Sequence, residues 1–275
     1  MYRIFKYYPN ISRLVLAGIL IIIALFLSSI IKIPNLKEVF PFIGTILLII
    51  VNGVMYKTEN KGLNELGLNL KKTNLYFLPL GLVLGVLAVL IGYYSKSILI
   101  GDTIHLNRDV DFLNVLKHLY WILPTAAVQE LICRGYIYKK LISTTNLTRA
   151  NVIMSIIFIS MHDVFGIGIF GAIFYSISLI IGHLVFATAL LRSGTILFAI
   201  GIHWGSNVAN NQLFTDDKLQ SSILYLTKAV QEEPTGFNPI GILLYLFALN
   251  IGFIVLGIGV WKWKKIFVKK SIIIP

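Results

Sequence analysis

Three short segments carry side chains that an apolar environment does not readily hold. They read Gln129-Glu130-Leu-Ile-Cys-Arg134, Phe158-Ile-Ser-Met-His162 and His203-Trp-Gly-Ser-Asn207. In each, two of the polar or aromatic residues stand four apart, the spacing that puts two side chains on one helix face. Amide hydrolysis needs a group that takes a proton from water and donors that stabilise an oxyanion. Glu130 suits the first task, because a carboxylate removed from water is a better proton acceptor. His162, His203 and Asn207 can supply the hydrogen bonds. His162, His203 and Glu130 also have the donor types of a divalent metal site such as zinc, with water in the open position. No HExxH pattern accompanies them, so no cofactor is firmly expected. A plainer reading exists for Glu130 and Arg134, as an ion pair that neutralises itself and holds helices together. A lone histidine within a membrane is more often an interhelical hydrogen-bond partner, and His183 is read that way.

The surroundings of these segments are apolar to a degree that decides the fold class. Of the 275 residues, 57% are hydrophobic and 13% charged, with mean hydropathy +0.82. A soluble domain carries about 25% charged residues, so the bilayer must be the solvent. The expectation is an all-α, polytopic membrane helix bundle of about eight transmembrane helices, forming a single membrane domain over 1–275. Candidate spans are 14–31, 39–56, 74–95, 113–138, 150–168, 169–191, 194–214 and 239–261, with a turn near Gly166 and Gly168. The first is read as an uncleaved span. The net charge of +12 sits between apolar runs, which points to topology signals facing anionic lipid and away from nucleic acid. Most basic residues fall on the side that holds both termini. The expected location is therefore the plasma membrane, with both termini cytoplasmic. The lone Cys133 excludes an intramolecular disulfide and suits packing. The segment 57–72 reads as a short helix lying on the membrane surface; 215–238 is polar and net acidic.

Depth can be counted from the nearest inner charge of each span. At about 1.5 Å per residue, Glu130 lies about 14 Å from Lys139, His162 about 20 Å from Arg149, His203 about 17 Å from Arg192, and Asn207 about 23 Å. In a hydrocarbon core of about 30 Å, one middle layer holds all four, and convergence in a single cavity follows.

The same three segments, in order and spacing, resemble the motifs of the CPBP family, the CAAX-type intramembrane proteases and bacteriocin-processing or immunity proteins also called Abi. The stretch from Gly182 to Thr195 resembles that family's Gly-rich helix and turn, and the motif-bearing core covers about 113–210. The resemblance implies a bundle of about eight spans and a glutamate-type intramembrane endopeptidase, although members also carry a metalloprotease label. It implies catalytic roles for Glu130, His162, His203 and Asn207, with Gln129, Arg134 and Phe158 in support. One position departs: the family motif opens with two adjacent glutamates, the first assigned as base, and here that place holds Gln129. An amide cannot accept the proton of water. Either Glu130 takes over as base, or the site is impaired and kept for binding peptides, or immunity is conferred without proteolysis. Residues one apart on a helix point about 100° apart, so takeover requires a rotated helix or a shifted substrate. The leading expectation is a peptidase acting on a peptide or a membrane-associated protein segment, in bacteriocin processing, self-immunity or CAAX-type processing. A non-enzymatic membrane binding or immunity protein comes second. A small transporter is third, since neither inverted repeats nor paired broken helices are visible.

Overall fold

Out of water a helix satisfies every backbone N–H and C=O within its own chain, and the apolar runs fold accordingly. The computed structural model describes residues 7–31, 40–69, 71–164, 166, 168–227 and 239–263. Its longer helices are α1 (Pro9–Ile30), α2 (Ile43–Lys57), α3 (Phe77–Ile100, preceded by a single turn Lys72–Leu75), α4 (Phe112–Cys133), α5 (Tyr136–Thr144), α6 (Leu147–Ser160), α7 (Gly168–Ser193), α8 (Ile196–Val208) and α9 (Pro239–Lys262). A π-helical turn, Ala209–Leu213, extends α8. A small sheet joins β1 (Thr103–Leu106), β2 (Phe214–Thr215) and β3 (Leu224–Thr227) in the order β1-β3-β2. β1 and β3 run antiparallel, with Thr103 opposite Thr227. The basic residues before Tyr7 and after Trp263, and most of the acidic segment beyond Thr227, lie outside the described residues.

Among the described residues, four helices are long and apolar enough to cross a membrane: Pro9–Ile30, Lys72–Ile100, Gly168–Ser193 and Leu243–Lys262. They support an integral membrane protein and correct the expectation of about eight spans. Three of the other windows become helices of 15, 14 and 13 residues in α2, α6 and α8. At about 1.5 Å per residue these reach about 20–23 Å, short of the roughly 30 Å core. The fourth, α4, has 22 residues, but Lys117, His118, Gln129 and Glu130 interrupt its apolar character. A hydropathy window does not distinguish apolar-for-lipid from apolar-for-core. Ten of the 13 residues of α8 are buried in protein, whereas Ile22 on α1 and Ile98 on α3 are 68% and 80% exposed, as lipid-facing side chains would be.

α8 is the central helix, and its seat is cut by glycine. A Cβ on Gly81 or Gly85 of α3 would strike the α8 backbone at Phe198–Ile202 and Ile202–Ser206. One on Gly201 or Gly205 would strike α3 at Leu78 and Leu82. Two small-xxx-small faces thus interlock, and side-chain-free contact is how helices approach closely inside a membrane. α9 packs on the other side of α3, where a Cβ on Gly252 would meet Ala88.

The segment 57–72 departs from a helix lying on the membrane surface. It forms a 3₁₀ turn, Leu63–Leu66, ending at Gly67 with φ +64°. Leu66 is fully buried. The Gly67 carbonyl accepts from Thr195 Oγ1 at 3.3 Å and from Asn74 Nδ2 at 2.9 Å, and Lys139 Nζ donates to the Glu65 carbonyl. The loop is therefore tied to the start of α8 and to α5. Beside it, Glu59 accepts from Lys140 Nζ at 2.7 Å and from the Tyr136 hydroxyl at 2.5 Å.

Candidate functional site

The site begins where α4 stops. α4 ends at Cys133, and the Arg134 N–H closes the last turn on the Glu130 carbonyl at 2.7 Å. Gly135 follows, at a place where a Cβ would collide with the Leu131 carbonyl and the Asn52 side chain. Asn52 of α2 fills the break: its Oδ1 accepts from the Tyr136 N–H at 2.6 Å, and its Nδ2 donates to the Leu48 carbonyl at 2.8 Å. Asn52 is thus a polar contact between α2 and the α4–α5 break. The expected continuous 113–138 helix is instead α4, a break and α5. The depth count for Glu130 fails for the same reason, because Lys139 lies on a different helix.

Glu130 and Arg134 are both fully buried. Arg134 Nη1 donates to Glu130 Oε1 at 3.1 Å. Its Nη2 reaches α7, donating to His183 Nδ1 at 2.8 Å and to the His183 carbonyl at 3.1 Å. The guanidinium carbon lies 4.7 Å from the Phe158 ring centre and 5.3 Å from that of Phe186. A planar cation between two aromatic faces, with a carboxylate at one edge, uses features an ammonium lacks. The plain ion-pair reading is thus correct as geometry, but incomplete, because a third group shares the carboxylate.

That group is His203 of α8, whose Nδ1 donates to Glu130 Oε1 at 2.8 Å. A carboxylate only accepts, so Nδ1 carries the hydrogen, which in the uncharged tautomer puts the lone pair on Nε2. His183 is the mirror case. Arginine only donates, so His183 Nδ1 accepts and its Nε2 carries the hydrogen. The ring of His203 stacks on Phe186 with centres 4.7 Å apart and planes at 13°. His162, just past the end of α6, donates from Nδ1 to the Phe158 carbonyl at 2.7 Å. Its uncharged tautomer too has the lone pair on Nε2. Phe158 touches both rings, with centres 4.8 Å from His162 and 5.8 Å from His203.

Of the residues expected in the site, Glu130, Arg134, His203, Phe158 and His162 come together. Asn207 lies one turn past His203 on α8, half-buried and with no hydrogen bond to the cluster. Gln129 is half-buried while its neighbour Glu130 is sealed, as a 100° step around the helix requires. His183 is the interhelical partner it was read to be. Phe186 escaped the reading of the sequence; its only signal is its place three residues after His183, on the same face of α7. Cys133 is buried beside Met161, sulfur to sulfur 3.8 Å, a packing contact.

A zinc set does not fit this arrangement. Glu130 Oε1 already accepts from two donors, one a guanidinium cation. Among the described residues no group of three His, Cys, Asp or Glu side chains is placed to hold a metal ion.

A profile of the family described as type II CAAX prenyl endopeptidase Rce1-like matches residues 111–209. That family lies in the same intramembrane-protease clan as CPBP/Abi. The matched stretch runs from the N-cap of α4 to the end of α8 and contains every residue of the cluster. No curated protein and no solved structure matches the chain.

Proposed function

We propose that the chain is an intramembrane peptidase of the CPBP type, hydrolysing a peptide or a membrane-associated protein segment within the cluster of Glu130, His162, His203 and Asn207. The observation that carries this reading is the Glu130–His203 hydrogen bond of 2.8 Å, inside the stretch that is similar to a CAAX endopeptidase family. Carboxylate, imidazole and an apolar enclosure are the parts that water activation needs. Arg134 and Phe158 hold them: the guanidinium fixes the carboxylate, and the ring separates the two histidines. Asn207 is the nearest amide on the same face of α8 for an oxyanion. The chain sits in the plasma membrane with both termini cytoplasmic, and its substrates include CAAX-type C-termini, bacteriocin leaders or immunity targets.

A second reading is favoured by Gln129 alone. With an amide where the family has its first glutamate, the cluster would bind peptide segments and confer immunity without cutting them.

Membrane peptidomics separates the two. Cells expressing the full chain should accumulate new peptide termini that disappear in Glu130→Ala and His203→Ala at equal expression. Identical termini in all three strains, with a phenotype retained, would favour the binding reading.

A further inference from the structure

Exposure and tautomer together decide which group takes the proton from water. Gln129 has no basic atom. Glu130 is sealed: its Oε1 accepts from Arg134 and His203, and its Oε2 is buried without a partner. No water reaches either oxygen without displacing the cluster. His203 is different. Its Nδ1–H points at the carboxylate, so the uncharged ring has its lone pair on Nε2. The residue keeps 3% exposure, where Glu130, Arg134 and His183 keep none. His162 in its uncharged tautomer also has the lone pair on Nε2, but behind its Nδ1 stands the Phe158 carbonyl and not an anion. An imidazolium formed at His203 faces a carboxylate 2.8 Å away; one formed at His162 does not. A buried acid that orients a histidine and stabilises its charged form is the division of labour in acid–histidine dyads.

We propose that His203 Nε2 is the general base, that Glu130 is its positioning residue, and that His162 Nε2 holds the water; this rests on the peptidase reading above. His203 Nε2 takes one proton from water as the oxygen bonds to the scissile carbonyl carbon. The carbonyl π pair moves onto oxygen, giving a tetrahedral oxyanion. Collapse re-forms the carbonyl and breaks the C–N bond. The leaving nitrogen takes the proton from His203 Nε2–H, so the products are an acid and an amine and the site returns to its starting state. Glu130 keeps its charge throughout. The amide at 129 is tolerated because the base stands on α8.

The test is chemical rescue, with the full chain in lipid vesicles and a fluorogenic peptide built on a cleavage site found by peptidomics. His203→Asn keeps a donor to Glu130 at the position of Nδ1 and lacks Nε2. It should retain the wild-type yield and melting temperature while losing about 10²–10⁴-fold in rate, the usual worth of a general base. His203→Gly leaves room for a ring. Imidazole should restore activity to it, and substituted imidazoles should do so in order of basicity. Glu130→Gln should be slowed and not rescued. Activity within about threefold of wild type in His203→Asn, or no rescue of His203→Gly by any imidazole, would overturn the assignment while leaving the peptidase reading intact. Absence of cleavage by the wild type would overturn that reading itself.

Discussion

Glu130 Oε1 accepts from His203 Nδ1 at 2.8 Å and from Arg134 Nη1 at 3.1 Å, so one carboxylate oxygen ties α8 to the broken end of α4. Its second oxygen is sealed without a partner.

Arg134 is the structural centre of the cluster. Arg134→Met should strand Glu130 and the His183 carbonyl, at a cost of about 3–5 kcal/mol for a broken buried pair. Arg134→Lys should fail nearly as badly, because one ammonium cannot bridge Glu130 and His183 while lying between Phe158 and Phe186. Thermal unfolding of the purified protein in detergent measures both. A melting temperature within a degree of wild type for either variant would contradict the geometry.

The α3–α8 contact sets where His203 stands. Gly85→Ala and Gly205→Ala each place a methyl against opposing backbone, so both should lower the melting temperature and the rate together. Gly18→Ala, where nothing lies within 4 Å of the new Cβ, is the matched control and should leave both unchanged.

At the Glu59 loop, stability should depend on pH. Burial alone would raise the Glu59 carboxyl, but hydrogen bonds from Lys140 and Tyr136 and the charges of Lys140 and Lys61 outweigh it and bring the pKa down to about 2. A carboxyl lowered on folding adds stability that is complete above its unfolded value near 4.3. That stability is lost as pH falls towards 2. The difference in melting temperature between wild type and Glu59→Gln should therefore be largest at pH 6 and shrink between pH 5 and pH 3. A difference that stays constant over that range would rule out the ion pair as its source.

Gln129→Glu restores a carboxylate at the place where the resembling family carries its first acid. Gln129 is half-buried, so the change should fold normally. It should raise the cleavage rate by completing the pair of adjacent acids that the family motif carries. Unchanged kinetics would indicate that position 129 faces away from the bound substrate.

How much of this was readable depends on the kind of information each feature carries. Glu130, Arg134, Phe158, His162 and His203 were legible because polar residues at four-residue spacing inside apolar runs have few explanations. Their convergence was harder, since it depends on the α4–α5 break at Gly135, which no composition window marks. The depth count assumed straight helices and so misplaced Glu130 along its axis. Asn207 shares a helix face with His203 by spacing, yet one turn along α8 moves it out of hydrogen-bond reach. The number of spans was overread because α8 is apolar for the core and not for lipid, and because α2 and α6 are too short to cross. Phe186 was invisible, because an aromatic residue in a membrane helix is unremarkable until its partner, Arg134, is placed.

The most direct measurement is the cleavage rate of wild type and His203→Asn in lipid vesicles at matched yield and melting temperature. The Glu130–His203 dyad requires a loss of about 100-fold or more. Equal rates in the two proteins would contradict the assignment of His203 as the base.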